Sequence, residues 1–307
     1  MVLDQLIKNK IMDSRDIKEE PIKVIGGKYL ECIYSLQKKL LDHYIKIEGI
    51  QSYPVDVNTK RSQVLLKDFT GRVIEELAEG YEALILVDEL TTKNKLWFGQ
   101  ELNTNDFVQT LNHLQNAGEE MADAMHFMTE LLIYANIQPE DIESYLNKWI
   151  DKNMYNKLST YRLNTIAKAM TVGLVLIQTE YSFDYKQSNL VDLVGIYDLV
   201  KDEEGVPNID VRFLNCGRLY NSEKYRSFKP MMWDVTYHLN IARNFLKNKP
   251  WKQSQMMTNE QQYQESLVKA FISMMGLFYM MGIDDENLFF LYFKKNMVNQ
   301  FRIKSNY

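Results

Sequence analysis

Two short acidic motifs hold the residues whose types and spacing are best suited to chemistry. The first contains Glu76 and Glu79, and the second contains Glu120 and Asp123. Residues three apart lie on one face of an α-helix, so each motif can present two carboxylates side by side. Such pairs could bind a divalent cation, or they could be ordinary charge on a solvated helix face.

The direction in which each pair points can be estimated because each residue of a helix is rotated by about 100° from the one before it. The second pair is flanked on its stripe by apolar residues, namely Ala124, Phe127 and Leu131. That pair should therefore face the protein interior. The first pair shares its stripe with the small residues Gly80 and Ala83, which we expect to leave room beside the acids.

Four carboxylates inside a helical bundle would repel one another and lose their hydration, and a divalent cation is the simplest remedy. Oxygen ligands suit Mg²⁺ or Mn²⁺, and the sequence has no cluster of Cys and His that would suggest zinc. Because Mg²⁺ is commonly shared with substrate phosphates, an all-carboxylate site predicts a phosphate-bearing substrate and an activated water.

Long helices are the elements that would position these acids. The 307 residues include only 13 Gly and 6 Pro, about half the usual share, which favours an all-α fold over a sandwich, a barrel or a Gly-rich nucleotide fold. Apolar spacing predicts helices at 28–48, 62–89, 106–136, 162–181 and 231–246, another opening at 138–141, and helical patterning over 261–302. Residues 182–230 are rich in turn residues and predict a looped insertion that could hold a small hairpin.

The chain contains an internal echo. The segments 124–137 and 270–283 have similar apolar sequences and the same length, and each is followed by a Lys-Asn-Met-x-Asn tag. This recurrence predicts a duplication within one all-α domain spanning 1–307. We divide it into a metal-binding repeat at 28–158, a helix and looped insertion at 159–230, and a degenerate repeat at 231–307. In the second copy, Ser266 and Lys269 stand where Glu120 and Asp123 stand in the first, so we expect one metal site per chain.

Charge and composition limit the other function classes. The net charge of −5 gives no basic excess that would point to nucleic acid or to an anionic membrane. The longest uncharged run, 270–283, is too short to cross a bilayer. The two cysteines, Cys32 and Cys216, suit a reducing compartment. We therefore expect a cytoplasmic protein (the host cytoplasm, if its origin is a phage) without nucleic-acid or membrane partners.

The two acidic motifs, together with the C-terminal segment from Lys295 to Arg302, resemble the all-α NTP pyrophosphatases. His126 and Phe127 after the second motif, and Tyr307 at the end of the chain, extend the likeness. Within that MazG-like group the sequence is most similar to the dimeric dUTPases and the phage dCTP pyrophosphatases. The likeness covers about 30–307, and the C-terminal motif is its most specific part.

The resemblance implies a role for each matching residue. Glu76, Glu79, Glu120 and Asp123 would be Mg²⁺ ligands, and Glu76 would also help to activate the attacking water. Phosphates and sugar would be held from the C-terminal motif, by Lys295, Asn296, Asn299, Arg302 and Tyr307. Gln37 and His126 would approach the base.

The resemblance implies a homodimeric enzyme that hydrolyses a pyrimidine dNTP, dUTP or dCTP, to the monophosphate and pyrophosphate. Three departures from the family pattern, at Leu41, Ile303 and Asn306, bear on base identity more than on hydrolysis. Two alternatives stay open. One is a non-catalytic nucleotide sensor or scaffold that kept the fold, and the other is a helical interaction protein whose acids are surface charge.

Overall fold

The computed structural model describes residues 27–93, 104–150, 165–181 and 222–304, together with Pro21 and Val24. The described residues form eight long helices and no strand. They are α1 (Tyr29–Glu48), α2 (Lys60–Lys93), α3 (Thr104–Tyr134), α4 (Pro139–Trp149), α5 (Thr165–Tyr181), α6 (Ser222–Phe245), α7 (Glu260–Met280) and α8 (Asp285–Lys304). The all-α prediction is therefore confirmed.

The predicted helices are present with small shifts of their ends, but two stretches differ from expectation. Helix α6 begins at Ser222, so the last residues of the predicted loop 182–230 are helical. The apolar residues Phe228, Met231 and Val235 are buried in a continuous stripe there, which explains why the helix passes through Pro230. The rest of the predicted insertion, 182–221, lies outside the described residues.

The helical pattern over 261–302 is divided into two helices. Helices α7 and α8 meet at an angle of 103°, at a turn where Gly282 has a φ of 78°. Among the described residues, no single helix has the length and hydropathy of a membrane span, and only this bent pair meets those criteria jointly.

Local sequence signals explain where several helices begin and end. Helix α1 ends at Gly49, whose φ of 64° is the left-handed conformation that glycine adopts readily. Helix α4 begins with a capping box between Gln138 and Asp141, with Pro139 in its first turn. Helix α7 is capped by Asn259, whose side chain accepts a hydrogen bond from the backbone of Gln262.

The turn after α3 recurs after α7, 146 residues later. Asn136 and Gly282 occupy equivalent positions, and both have positive φ, at 58° and 78°. The same backbone bonds close both turns, from Ile137 N–H to Leu132 O at 2.9 Å and from Ile283 N–H to Phe278 O at 3.0 Å. This pattern is that of a Schellman motif. The sequence echo therefore corresponds to a repeated helix–turn–helix.

We call α1 to α4 the first half of the chain and α5 to α8 the second half. The last helix of each half packs against the other half. Helix α8 packs on α1 and α3, whereas α4 packs on α5. Within the halves, α2 pairs with α3, and α7 pairs with α5 and α6. The two halves thus exchange their terminal helices around one shared core, so a site in the first half can receive residues from the end of the chain.

Candidate metal and nucleotide site

Three of the four predicted carboxylates converge between α2 and α3. One carboxylate oxygen from each of Glu76, Glu120 and Asp123 lies within 4.8 Å of the other two. All three side chains are partly buried. Glu79 is exposed and does not belong to this group, because it lies one turn further along α2, toward solvent.

A close contact between the two helices brings the acids together. A Cβ atom at Gly80 would lie 2.1 Å from Cε of Met121 and 3.4 Å from Cβ of Glu120. The absent side chain therefore lets α3 approach α2 one turn from Glu76. The sequence led us to expect open space beside Gly80, and this space is instead filled by α3. Ala83 is also buried in the core.

The carboxylates perturb one another in the way expected of an acid cluster. Burial, followed by the charge of Asp123 and a hydrogen bond with Glu120, raises the pKa of Glu76 to about 8. Burial and the charge of Asp123 also raise the pKa of Glu120. The cluster therefore holds protons at neutral pH that a cation would displace.

One cation of the chain already contacts this cluster. The Lys295 ammonium on α8 lies 2.6 Å from Oδ2 of Asp123, and both side chains are largely buried. Burial raises the pKa of Asp123, and the charge of Lys295 opposes that rise. Because Lys295 belongs to the second half, the exchanged helix α8 supplies the positive charge of the site.

The other predicted residues of α8 differ in how deeply their side chains are buried. Asn296 is fully buried, and its Oδ1 accepts a hydrogen bond of 2.6 Å from Gln300. Asn299 is half-buried and Arg302 is exposed, although the charge of Arg302 is felt at Asp123. Tyr307 lies outside the described residues.

Gln37 and His126 meet in a buried polar cluster beside the acids. Gln37 Nε2 donates a hydrogen bond of 2.7 Å to Oε1 of Glu130, while Oε1 of Gln37 lies 2.8 Å from Nδ1 of His126. The hydroxyl of Tyr292 donates to the same Gln37 oxygen, and its ring stacks on His126 with centroids 4.0 Å apart. Burial raises the pKa of Glu130 to about 8 and lowers that of His126 to about 3.

Sequence reasoning missed Glu130 and Tyr292. Glu130 carries no motif, but it lies one turn beyond His126 and two turns beyond Asp123, so a longer helical count along α3 would have found it. Tyr292 lies 255 residues from Gln37 in the sequence, and only the packing of α8 on α1 brings the two together.

The three clustered carboxylates fit a hard divalent cation. Their oxygens are close enough to share one ion, and burial together with mutual repulsion raises the pKa of Glu76 and Glu120, which a bound cation would oppose. The donor set is oxygen only, which suits Mg²⁺ or Mn²⁺. Glu76, Glu120 and Asp123 would hold the ion.

Among the described residues of the second half there is no equivalent carboxylate group. Ser266 is buried and Lys269 is exposed, at the positions that match Glu120 and Asp123. A Cβ atom at Gly173 of α5 would lie 2.2 Å from the Ile272 carbonyl oxygen and 2.8 Å from the backbone nitrogen of Gly276. Backbone contact between α5 and α7 thus occupies the space that corresponds to the polar cluster of Gln37.

The described helices place a carboxylate cluster that could hold a metal ion next to the lysine of α8. Residues 209–307 match a family model described as dUTPase. With the helical fold, this match confirms the resemblance to the all-α dUTPase and dCTP pyrophosphatase family and indicates a nucleotide pyrophosphatase. The matched third contains α6 to α8 and the basic motif, whereas the carboxylates precede it. No curated protein and no solved structure matches the chain.

Proposed function

We propose that this protein is a Mg²⁺-dependent pyrophosphohydrolase that converts a pyrimidine dNTP to the dNMP and pyrophosphate. We further propose dUTP as the main substrate and dCTP as the next best. The observation that carries the proposal is the convergence of Glu76, Glu120 and Asp123 between two helices. The match of the C-terminal third to a dUTPase family supports the substrate class.

Each group of the site has a role in this reaction. A bound Mg²⁺ would neutralise phosphate charge and polarise the bond between the α- and β-phosphates. Glu76, which loses its proton when a cation binds the cluster, would accept a proton from the attacking water. Lys295 and Arg302 would bind phosphate oxygens. The remaining predicted residues of the C-terminal motif, Asn296, Asn299 and Tyr307, would supply the sugar contacts that the family resemblance implies.

A nucleotide panel tests the proposal. Purified protein is incubated with each dNTP and with UTP, with and without Mg²⁺, and release of pyrophosphate and monophosphate is measured. We expect hydrolysis of dUTP and, more slowly, of dCTP, only when Mg²⁺ or Mn²⁺ is present. A folded protein that releases no pyrophosphate from any nucleotide would exclude the enzyme.

Calorimetry on the same samples separates the two alternatives. Tight triphosphate binding without product would favour a nucleotide sensor that kept the fold. A protein that binds neither nucleotide nor Mg²⁺, with no Mg²⁺-dependent change in melting temperature, would favour a helical interaction protein.

A further inference from the structure

The two halves of the chain allow a comparison that singles out Glu130. They share a repeated helix–turn–helix with an offset of 146 residues. At this offset His126 corresponds to Ile272, and Glu130 corresponds to Gly276. The second half therefore fills the region between its helices with apolar side chains and backbone, as the contact at Gly173 shows.

The first half instead buries a polar cluster in the same region. Gln37 is fully buried, and Glu130 and His126 are 7% and 3% exposed. Burying such groups is costly unless they are paired. Because the second half shows that this fold can pack without them, stability does not account for the cluster.

One atom of the cluster points to a ligand. Nε2 of His126 is buried and has no hydrogen-bond partner within the described part of the chain. Both polar side-chain atoms of Gln37 are engaged, by Glu130, His126 and Tyr292. The Asn296 side chain interacts with the Tyr292 hydroxyl, so the cluster is internally paired except at Nε2 of His126.

The hydrogen bonds determine which proton His126 carries. In either protonation state Glu130 keeps an oxygen that can accept from Nε2 of Gln37, and that bond directs the amide oxygen toward His126. With the Gln37 amide in this orientation its oxygen accepts from His126, so the imidazole proton lies on Nδ1. Nε2 is then a bare acceptor, which can take an N–H of a pyrimidine base.

We propose that Glu130 is a positioning residue for base selection: it fixes the Gln37 amide, which fixes the His126 tautomer and so presents Nε2 as an acceptor to the base. This inference rests on the proposed function, because it assumes that a nucleobase reaches His126. Its first step, the fixed tautomer, belongs to the free protein and can be measured without any nucleotide.

The test compares Glu130→Met, Glu130→Gln and the neighbouring control Thr129→Val. Met has a similar length to Glu but offers only a weakly accepting sulfur to Gln37, whereas Gln keeps an acceptor oxygen. Thr129 is buried next to Glu130, but its hydroxyl bonds only to the backbone of Met125, so its loss should leave the cluster intact.

The first measurement is the imidazole nitrogen spectrum of histidine-labelled protein, with the His126 signal assigned by its loss in His126→Asn. We expect the wild type, Thr129→Val and Glu130→Gln to show mainly the Nδ1–H form. Glu130→Met should show a mixture of the two tautomers.

The second measurement is kcat and KM for dUTP and dCTP. In Glu130→Met we expect the ratio of the two kcat/KM values to move about tenfold toward unity, the effect of one lost hydrogen bond, mainly through KM. Glu130→Gln should keep the ratio within about threefold, as should Thr129→Val. An unchanged tautomer or an unchanged ratio in Glu130→Met would overturn the proposal. If the wild type hydrolyses no nucleotide, the proposed function fails, and the tautomer still decides whether Glu130 orients Gln37.

Discussion

The carboxylates of Glu76, Glu120 and Asp123 are held together although they repel one another. The contact of α3 with Gly80 brings them close, and burial limits the water that could screen their charges. The raised pKa of Glu76 records this unfavourable arrangement. Removing one charge should therefore relieve repulsion in the metal-free protein while it weakens metal binding.

We predict that Glu120→Gln or Asp123→Asn abolishes pyrophosphate release. The helical circular dichroism should be kept, since each neutral amide has nearly the shape of the acid it replaces. The matched control is Glu75→Gln, an exposed carboxylate on the same helix as Glu76, which should retain activity. Retained activity in both site variants would remove the metal assignment.

The inward-facing acids could be predicted from sequence because each pair lies within one helix and its apolar neighbours indicate its direction. Glu79 shows the limit of this argument, since its spacing from Glu76 predicts the same helix face, yet its side chain is exposed. Glu130 could not be assigned a role, because its partner Gln37 lies 93 residues away on another helix. Pairings between helices depend on packing that periodicity does not specify.

Among the elements, α5 and α7 make the closest described approach of backbone to a glycine. Gly173 lies against backbone atoms of Ile272 and Gly276, which can move only if a helix moves. By contrast, a Cβ atom at Gly71 in α2 would meet nothing within 4 Å. These two helical glycines therefore form a matched pair with opposite expected effects.

We predict that Gly173→Ala destabilises the protein by roughly 2 kcal/mol or more, through overpacking of the two helices. Gly71→Ala should instead stabilise it by roughly 0.5–1 kcal/mol, because alanine favours the helix. Chemical denaturation of both variants measures the change in free energy of unfolding. Equal effects at the two positions would mean that α5 and α7 do not approach closely.

Helix positions were the most predictable part of this fold, because few glycines and prolines interrupt the apolar periodicity. The exchange of α4 and α8 between halves was not predictable. Each of these helices follows a helix of its own half in the sequence, but α4 packs on α5 and α8 packs on α1 and α3. The start of α6 was missed because Pro230 looks like a helix breaker, whereas burial of Phe228 and Met231 outweighs it.

For the whole molecule, buried acids connect stability to pH and to metal. Glu76 and Glu130 have pKa values of about 8 in the folded protein, well above the ordinary value of 4.5. The folded state then binds more protons than the unfolded state between these values, so stability falls as pH rises. The stabilisation by these groups is fully present below about 4.5 and is lost as pH passes through about 8.

We predict that the melting temperature of the metal-free protein falls as the pH is raised from 5 to 8.5. We also predict that Mg²⁺ raises the melting temperature by more at pH 8.5 than at pH 5. Metal binds the ionised carboxylates, so its affinity should rise as Glu76 loses its proton. Thermal melts across this range, with Mg²⁺ or EDTA, provide the measurement. In Glu76→Gln the Mg²⁺ response should disappear, whereas Glu75→Gln should keep it; a response that is equal at all pH values would contradict the linkage.

The exchanged helix α8 also has a consequence for how such a chain can evolve. If two identical subunits once exchanged their last helices, each would have needed the other to complete its site. Joining them in one polypeptide fixes the partner at a high effective concentration. One half can then keep the acids while the other keeps the lysine. In a homodimer, a mutation such as Ser or Lys at the positions of Ser266 and Lys269 would alter both sites, whereas in a duplicated chain it alters only one. Covalent linkage would have relaxed selection on the second site and allowed it to become a scaffold.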